Sequence, residues 1–288
     1  MKVPICLCVV LLLIVSCASR PERLTYRLEN APFPHPERAD GMIRKGIHYP
    51  ADEHYSDNSV AVLIPEAYRK GASTDLIVHF HGWGNNIDRC IEQFELKTQL
   101  EMSGKNLLMV VPEGPKNAPD SFNGKLCDEG GFRRFVDELL DSLKSDGIVR
   151  TRRIGRIILS GHSGGYYVMA HILRYGGYRE RISDVFLFDG LYGNEEDYMN
   201  WLRKAQGRFV NIYTENGGTK YETERFMSQC DSLGIPYVAA QTKDMAAMPA
   251  GRVLMLYSDL KHNEVIAVRK NLLKLLLSME PWNDPVEP

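Results

Sequence analysis

Ile157-Ile158-Leu159-Ser160-Gly161-His162-Ser163-Gly164-Gly165 is an apolar, β-branched run that breaks abruptly into glycines around a single serine. It reads as a strand, a sharp turn and a helix. A serine at the tip of a strand-to-helix turn sits in strained backbone geometry, and side chains two positions away on either side would obstruct it. Gly161 and Gly165 remove that obstruction. The following segment, Tyr166 to Tyr175, is predicted to be helical, with its free N–H groups and positive dipole end directed at charge developing near Ser163 Oγ. Ser163 is therefore the candidate nucleophile. A phosphate-binding loop would need the lysine of a Walker sequence, which is missing here.

The surrounding chain has 288 residues, 44% hydrophobic and 25% charged, with a formal charge of −2. These values give an ordinary globular chain with a sizeable core, and they imply neither nucleic acid nor an anionic surface as a partner. Residues 1–16 hold one lysine and then the apolar run Ile5 to Val15, the layout of a signal peptide and too short to span a bilayer. Ile14-Val15-Ser16-Cys17 resembles a bacterial lipobox, which implies cleavage before Cys17 and lipidation of that cysteine. The expected location is then the outer side of a bacterial cytoplasmic membrane or the outer membrane. Residues 17–58, with prolines at 21, 32, 34, 36 and 50, read as a tether and irregular lead-in. Beyond Cys6, Cys8 and Cys17, only Cys90, Cys127 and Cys230 remain, so this is no disulfide scaffold. A Cys90–Cys127 bridge is expected at one rim of the site.

From residue 59 to about 280, short apolar runs alternate with helical patterns. Strands are predicted at Ser59–Ile64, Leu76–Phe80, Leu107–Val111, Asp184–Phe188, Phe209–Tyr213 and Val253–Tyr257, with Ile235–Ala240 as one more. Helices are predicted at Ile87–Met102, Phe132–Leu143, Glu195–Ala205, Thr219–Leu233 and Glu264–Leu277; residues 281–288 form a tail. Continuous rather than alternating apolar runs indicate strands buried on both faces. The fold class is α/β, one domain with a mainly parallel central sheet and helices on both faces.

In such sheets ligands sit at the carboxyl ends of the strands. His81-Gly82-Trp83-Gly84 follows one strand, Ser163 another, Asp189 a third, Glu215 a fourth, and His262 follows the run ending at Tyr257. Through Gly161-His162-Ser163-Gly164-Gly165, His81-Gly82 and the late His262, residues 59–280 resemble the α/β-hydrolase superfamily. The resemblance implies an acyl-serine mechanism with Ser163 as nucleophile, His262 as base, an acid that orients it, and the amides of Trp83 and Gly164 as oxyanion hole. Asp189 and Glu215 compete for the acid. Asp189 is favoured because a short carboxylate beside Gly190 is held more rigidly than Glu215, which precedes Asn216-Gly217-Gly218.

His79 and His81 are two of the eight histidines and share a strand face, but no further ligand follows at a diagnostic spacing, so no metal or other cofactor is expected. Trp83, Asn85, Asn86, Phe122, Asn123, Tyr166, Tyr167 and Tyr192 fall near the site, and such aromatics and amides suit a sugar-bearing ester. A serine esterase acting on a small-molecule or glycan ester is the expected function. A serine peptidase or amidase would use the same residues, and a surface-binding lipoprotein with a degraded site would keep only the fold.

Overall fold

The computed structural model describes residues 22–280. The chain runs β1 (Arg23–Arg27), a hairpin of β2 (Met42–Arg44) and β3 (Ile47–Tyr49), α1 (Ala51–His54), β4 (Ser59–Leu63), β5 (Thr74–Phe80), α2 (Ile87–Gln93), α3 (Leu96–Ser103) and β6 (Leu108–Pro112). It continues with α4 (Gly131–Ser145), β7 (Ile154–His162), α5 (Tyr166–His171), β8 (Ile182–Phe188), α6 (Glu195–Lys204), β9 (Arg208–Thr214), α7 (Lys220–Ser232), β10 (Val238–Gln241), β11 (Val253–Ser258) and α8 (Asn271–Leu277). Nine strands form one sheet in the order β1-β4-β6-β5-β7-β8-β9-β11-β10. From β6 to β10 every pairing is parallel, whereas β4 is antiparallel to both β1 and β6. This is the expected mainly parallel sheet. β7 and β8 are buried along nearly their whole length, as their unbroken apolar runs require.

Successive residues of a strand feed opposite faces. Leu76, Val78 and Phe80 of β5 join the core under α4, α5 and α6, while Ile77 joins the one under α2, α3 and α8. On α4, Phe132, Phe135, Val136, Leu139, Leu140 and Leu143 form one buried stripe at helical spacing.

Four expectations are corrected. The folded unit does not begin at residue 59: Arg23–Arg27 pairs with Leu63–Ser59 as an edge strand, and Phe33, Tyr55 and Ala118 form a small core of their own. β1 escapes an apolar-run search because it alternates exposed and half-buried residues. The predicted helix over 87–102 is two helices, broken where Glu95 takes a left-handed φ of 50°, and the last helix starts at Asn271 rather than at Glu264. The Cys90–Cys127 bridge does not form. Both thiols are free and buried, and they belong to the cores on opposite faces of the sheet. Burial without a basic partner raises both thiol pKa values, Cys127 to about 12. The signal sequence, Cys17 and the tail from 281 lie outside the described residues.

Candidate active site

β5, β7, β8, β9 and β11 are consecutive neighbours, so their carboxyl ends meet at one edge of the sheet. His162 is level with Phe188, and Ser163 and Asp189 therefore leave β7 and β8 side by side. Ser163 has a φ of +51°, a conformation L-residues avoid. The flanking glycines permit it. A Cβ on Gly161 would lie 2.5 Å from Met169 Sδ, and one on Gly165 would lie 2.6 Å from the Phe80 carbonyl. The chain then makes a single 3-10 turn over Ser163–Gly165 and enters α5 at Tyr166.

Asp189, fully buried, also holds a left-handed φ, +47°. Its carboxylate accepts from Thr214 N (3.0 Å), Thr214 Oγ1 (2.8 Å) and Thr219 Oγ1, and from His262 Nδ1 at 2.6 Å. Burial pushes its pKa up, but the hydrogen bonds from His262, Thr219 and Thr214 outweigh this and hold the carboxyl below its usual range. With Nδ1–H donated to an acceptor-only carboxylate, the neutral ring of His262 keeps its free lone pair on Nε2. His262 and Ser163 line the same cleft. Glu215 is not brought to this cluster: its side chain is 60% exposed and pairs with Lys220 at 3.3 Å. Gly217, expected to be loose, packs against the acid instead. A Cβ there would fall 1.7 Å from Asp189 Oδ2, while its N–H donates to Thr214 Oγ1 and its carbonyl accepts from the Tyr192 hydroxyl.

Beyond β5, a Cβ on Gly82 would meet Ser163 Cβ at 2.6 Å, so only glycine lets this turn approach the serine so closely. A Cβ on Gly164 would meet the Trp83 indole at 2.7 Å, which sets the residues carrying the two expected oxyanion amides against each other. Trp83 Nε1–H donates to Ser121 Oγ at 2.7 Å, and Arg44 from the β2–β3 hairpin covers the indole face at 4.1 Å. His81 supports this turn from beneath, bonded to the Gly82 carbonyl (2.9 Å) and to Glu113 (3.0 Å). His79 is buried against Ser160 Oγ at 2.8 Å, and burial together with His162 and His81 drives its pKa down to about 3.

The cleft measures about 650 Å³. Of the aromatic and amide residues singled out in the sequence, Trp83, Asn85, Tyr166 and Tyr192 line it. The others serve elsewhere. Asn86 caps α2, Phe122 packs on Phe33 and His35, Asn123 bonds the Ser121 carbonyl, and Tyr167 stacks on His171. Arg89, Gln93, Ser121 and Asn263 line it too, together with His162, Gly82, Gly84 and Gly164. Asn263 could have been found as the neighbour of His262, and Arg89 and Gln93 as the first helix after the Gly82 turn; Ser121 carries no signal in sequence. The lining includes no Asp, Glu or aliphatic side chain.

No known sequence family and no curated protein matches the chain. Solved structures do. The fluorophosphonate-binding serine hydrolase FphF of Staphylococcus aureus superposes with a TM-score of 0.51 over 89% of this chain and 98% of its own, at 9% identity. S-formylglutathione hydrolase (FrmB) of the same organism gives 0.51 over 89% and 98%, at 8% identity, and a ferulic acid esterase gives 0.51 over 76% and 92%, at 13% identity. At these identities the likeness defines the fold, and the fold is that of the α/β-hydrolases.

Proposed function

We propose that the chain is a serine esterase that transfers the acyl group of a polar, carbohydrate-like ester to Ser163 and then to water. The observation that carries this reading is the hydrogen bond from half-buried His262 to buried Asp189, in one cleft with a serine strained at the end of β7. In the reaction, His262 Nε2 accepts the proton of Ser163 Oγ as the oxygen bonds to the substrate carbonyl carbon, and Asp189 stabilises the imidazolium without taking its proton. The amides of Trp83 and Gly164 hold the oxyanion; among the described residues the Trp83 N–H has no protein acceptor. The carbon–oxygen bond to the alcohol then breaks, and Nε2–H protonates the departing oxygen. Water, deprotonated by the same nitrogen, releases the acid and restores the serine.

The lining supports the substrate class. Trp83, Tyr166 and Tyr192 offer flat faces, while Asn85, Gln93, Asn263 and Arg89 offer donors and acceptors that match hydroxyl-rich ligands. With no aliphatic side chain in the lining, a long fatty acyl chain would have only the aromatic faces to bury against. Neutral and anionic esters are favoured over cationic ones, because Arg89 is unopposed in the cleft.

We also propose that Cys17 is lipidated, as the Ser16-Cys17 sequence suggests. The sheet starts at Arg23, so residues 18–22 could span at most about 18 Å, and the domain would lie close against its membrane. Mass spectrometry of the membrane fraction tests the anchor; an intact Met1, or a Cys17→Ala protein that stays membrane-bound, rejects it. For the chemistry, a fluorophosphonate probe should label the wild type and leave Ser163→Ala unlabelled. Labelling that survives in Ser163→Ala, or a folded wild type that does not label, rejects the esterase.

A further inference from the structure

His162, the last residue of β7 and the one before the nucleophile, has a side chain that the mechanism above does not use. It is buried, and its Nε2 lies 3.0 Å from the main-chain carbonyl of His262. Since a carbonyl only accepts, the ring proton is on Nε2 and is donated. The ring is also held between others, its centroid 4.7 Å from that of Phe94 and 4.5 Å from that of His262. The backbone of the His262 loop has few other ties to the sheet edge. Lys261 N–H and carbonyl bond to Glu264, which closes the loop on itself rather than on the body of the protein. His262 is thus fixed from outside its own loop at two points, the ring by Asp189 and the main chain by His162.

We propose that His162 is a positioning residue, whose hydrogen bond to the His262 carbonyl ties the main chain of the general base to the turn that carries the nucleophile. The inference rests on the esterase reading. One short turn then presents Ser163 and, through the residue before it, sets where His262 stands. Reacting groups must be held to within a fraction of an ångström, and an error near 1 Å costs about 100-fold in rate, so a single main-chain tether has leverage on turnover. Burial and the neighbouring His262 lower the pKa of His162 to about 3, so the ring remains neutral and adds no positive charge beside the base.

The test compares two variants on p-nitrophenyl acetate. His162→Phe keeps a ring against Phe94 but has no donor; His162→Gln keeps an N–H donor but has no ring. For His162→Phe, kcat should fall about 10- to 100-fold with KM within about twofold. Fluorophosphonate labelling of Ser163 should slow in proportion, and circular dichroism should show a native fold. His162→Gln should retain clearly more kcat than His162→Phe. Should the phenylalanine protein not fold, His162→Asn, whose amide is too short to reach the carbonyl, replaces it with the same expectation. A folded donorless variant with wild-type kcat, or a glutamine variant that loses as much as the donorless one, overturns the positioning role while leaving the esterase intact. A wild type that does not label overturns both.

Discussion

The sheet has a hollow at each end, and the larger one is chemically the quieter. At the amino ends of the strands, a cavity of about 800 Å³ is lined by Arg156, Arg208, Asp184 and the 248–251 segment. Its charges are spent on structure: Arg156 pairs with Asp75 at 2.7 Å, and Arg208 pairs with Asp184 at 2.8 Å while reaching carbonyls at the end of α8. At the carboxyl ends, the smaller cleft of about 650 Å³ has Ser163 in its wall and Asp189 behind His262, both at positive φ. Volume does not mark the site. Backbone strain combined with an incompletely used imidazole does, because strain persists only where the surroundings over-determine it.

The comparison can be broken by substitution at either end. Ser163→Ala should lower ester turnover by at least about 10⁴-fold without loss of the native circular dichroism signal. Ser163→Gly should be equally inactive yet more stable by about 1 kcal/mol, since glycine accepts the left-handed φ; an unchanged melting temperature would show that the turn stores no strain. Asp189→Asn should cost about three to four orders of magnitude in kcat, with Glu215→Gln within about twofold of wild type. The reverse ranking would transfer the orienting role to Glu215. At the other end, Arg208→Ala should cost about 2 kcal/mol in urea unfolding, because Asp184 loses its partner, and should leave kcat/KM unchanged. A large activity loss there would mean that the two ends are coupled.

A smaller effect lies in the pH dependence of stability. His79 and His162 ordinarily titrate near 6.5 but are held to about 3 in the fold. As the pH drops below 6.5, the unfolded chain takes up protons that the folded one refuses, so stability is full above 6.5 and declines as the pH falls toward 3. The Asp189 carboxyl, held below its usual range, adds to the decline only below about 4, the unfolded carboxylate value. The melting temperature of His162→Gln should therefore fall less steeply between pH 6.5 and 4 than that of the wild type, as read by differential scanning calorimetry.

Much of this geometry was legible in residue order. Parallel strands buried on both faces print as apolar runs, and a turn too tight for side chains prints as glycines around Ser163. What escaped has physical causes. β1 shows only alternation, because one side of it meets solvent. The break at Glu95 needs a φ that any residue can be forced into by packing, and no glycine announces it. The choice between Asp189 and Glu215 turns on rigidity, and it is Asp189 that lies within hydrogen-bond reach of His262, while Glu215 pairs with Lys220. Gly217, however, was read as slack, although it is glycine because Asp189 leaves no room for a Cβ. The threonines that hold the carboxylate, Thr214 and Thr219, gave no signal, since hydroxyls at strand ends and helix starts are ordinary there.

Trp83 has a consequence for how the protein can be watched. The residue is 47% exposed at the mouth of the cleft, with Arg44 over one face of the indole, whereas Trp201, on the inner face of α6, is fully buried. An indole in contact with water emits further to the red than one in a dry interior, so once the third tryptophan is removed by Trp282→Phe, Trp83 and Trp201 form a pair of fluorophores, one sensing and one silent. A ligand that displaces solvent from Trp83 should shift the red part of the emission and leave the blue part in place. Occupancy of the cleft could thus be followed by light in a Ser163→Ala, Trp282→Phe protein that turns nothing over.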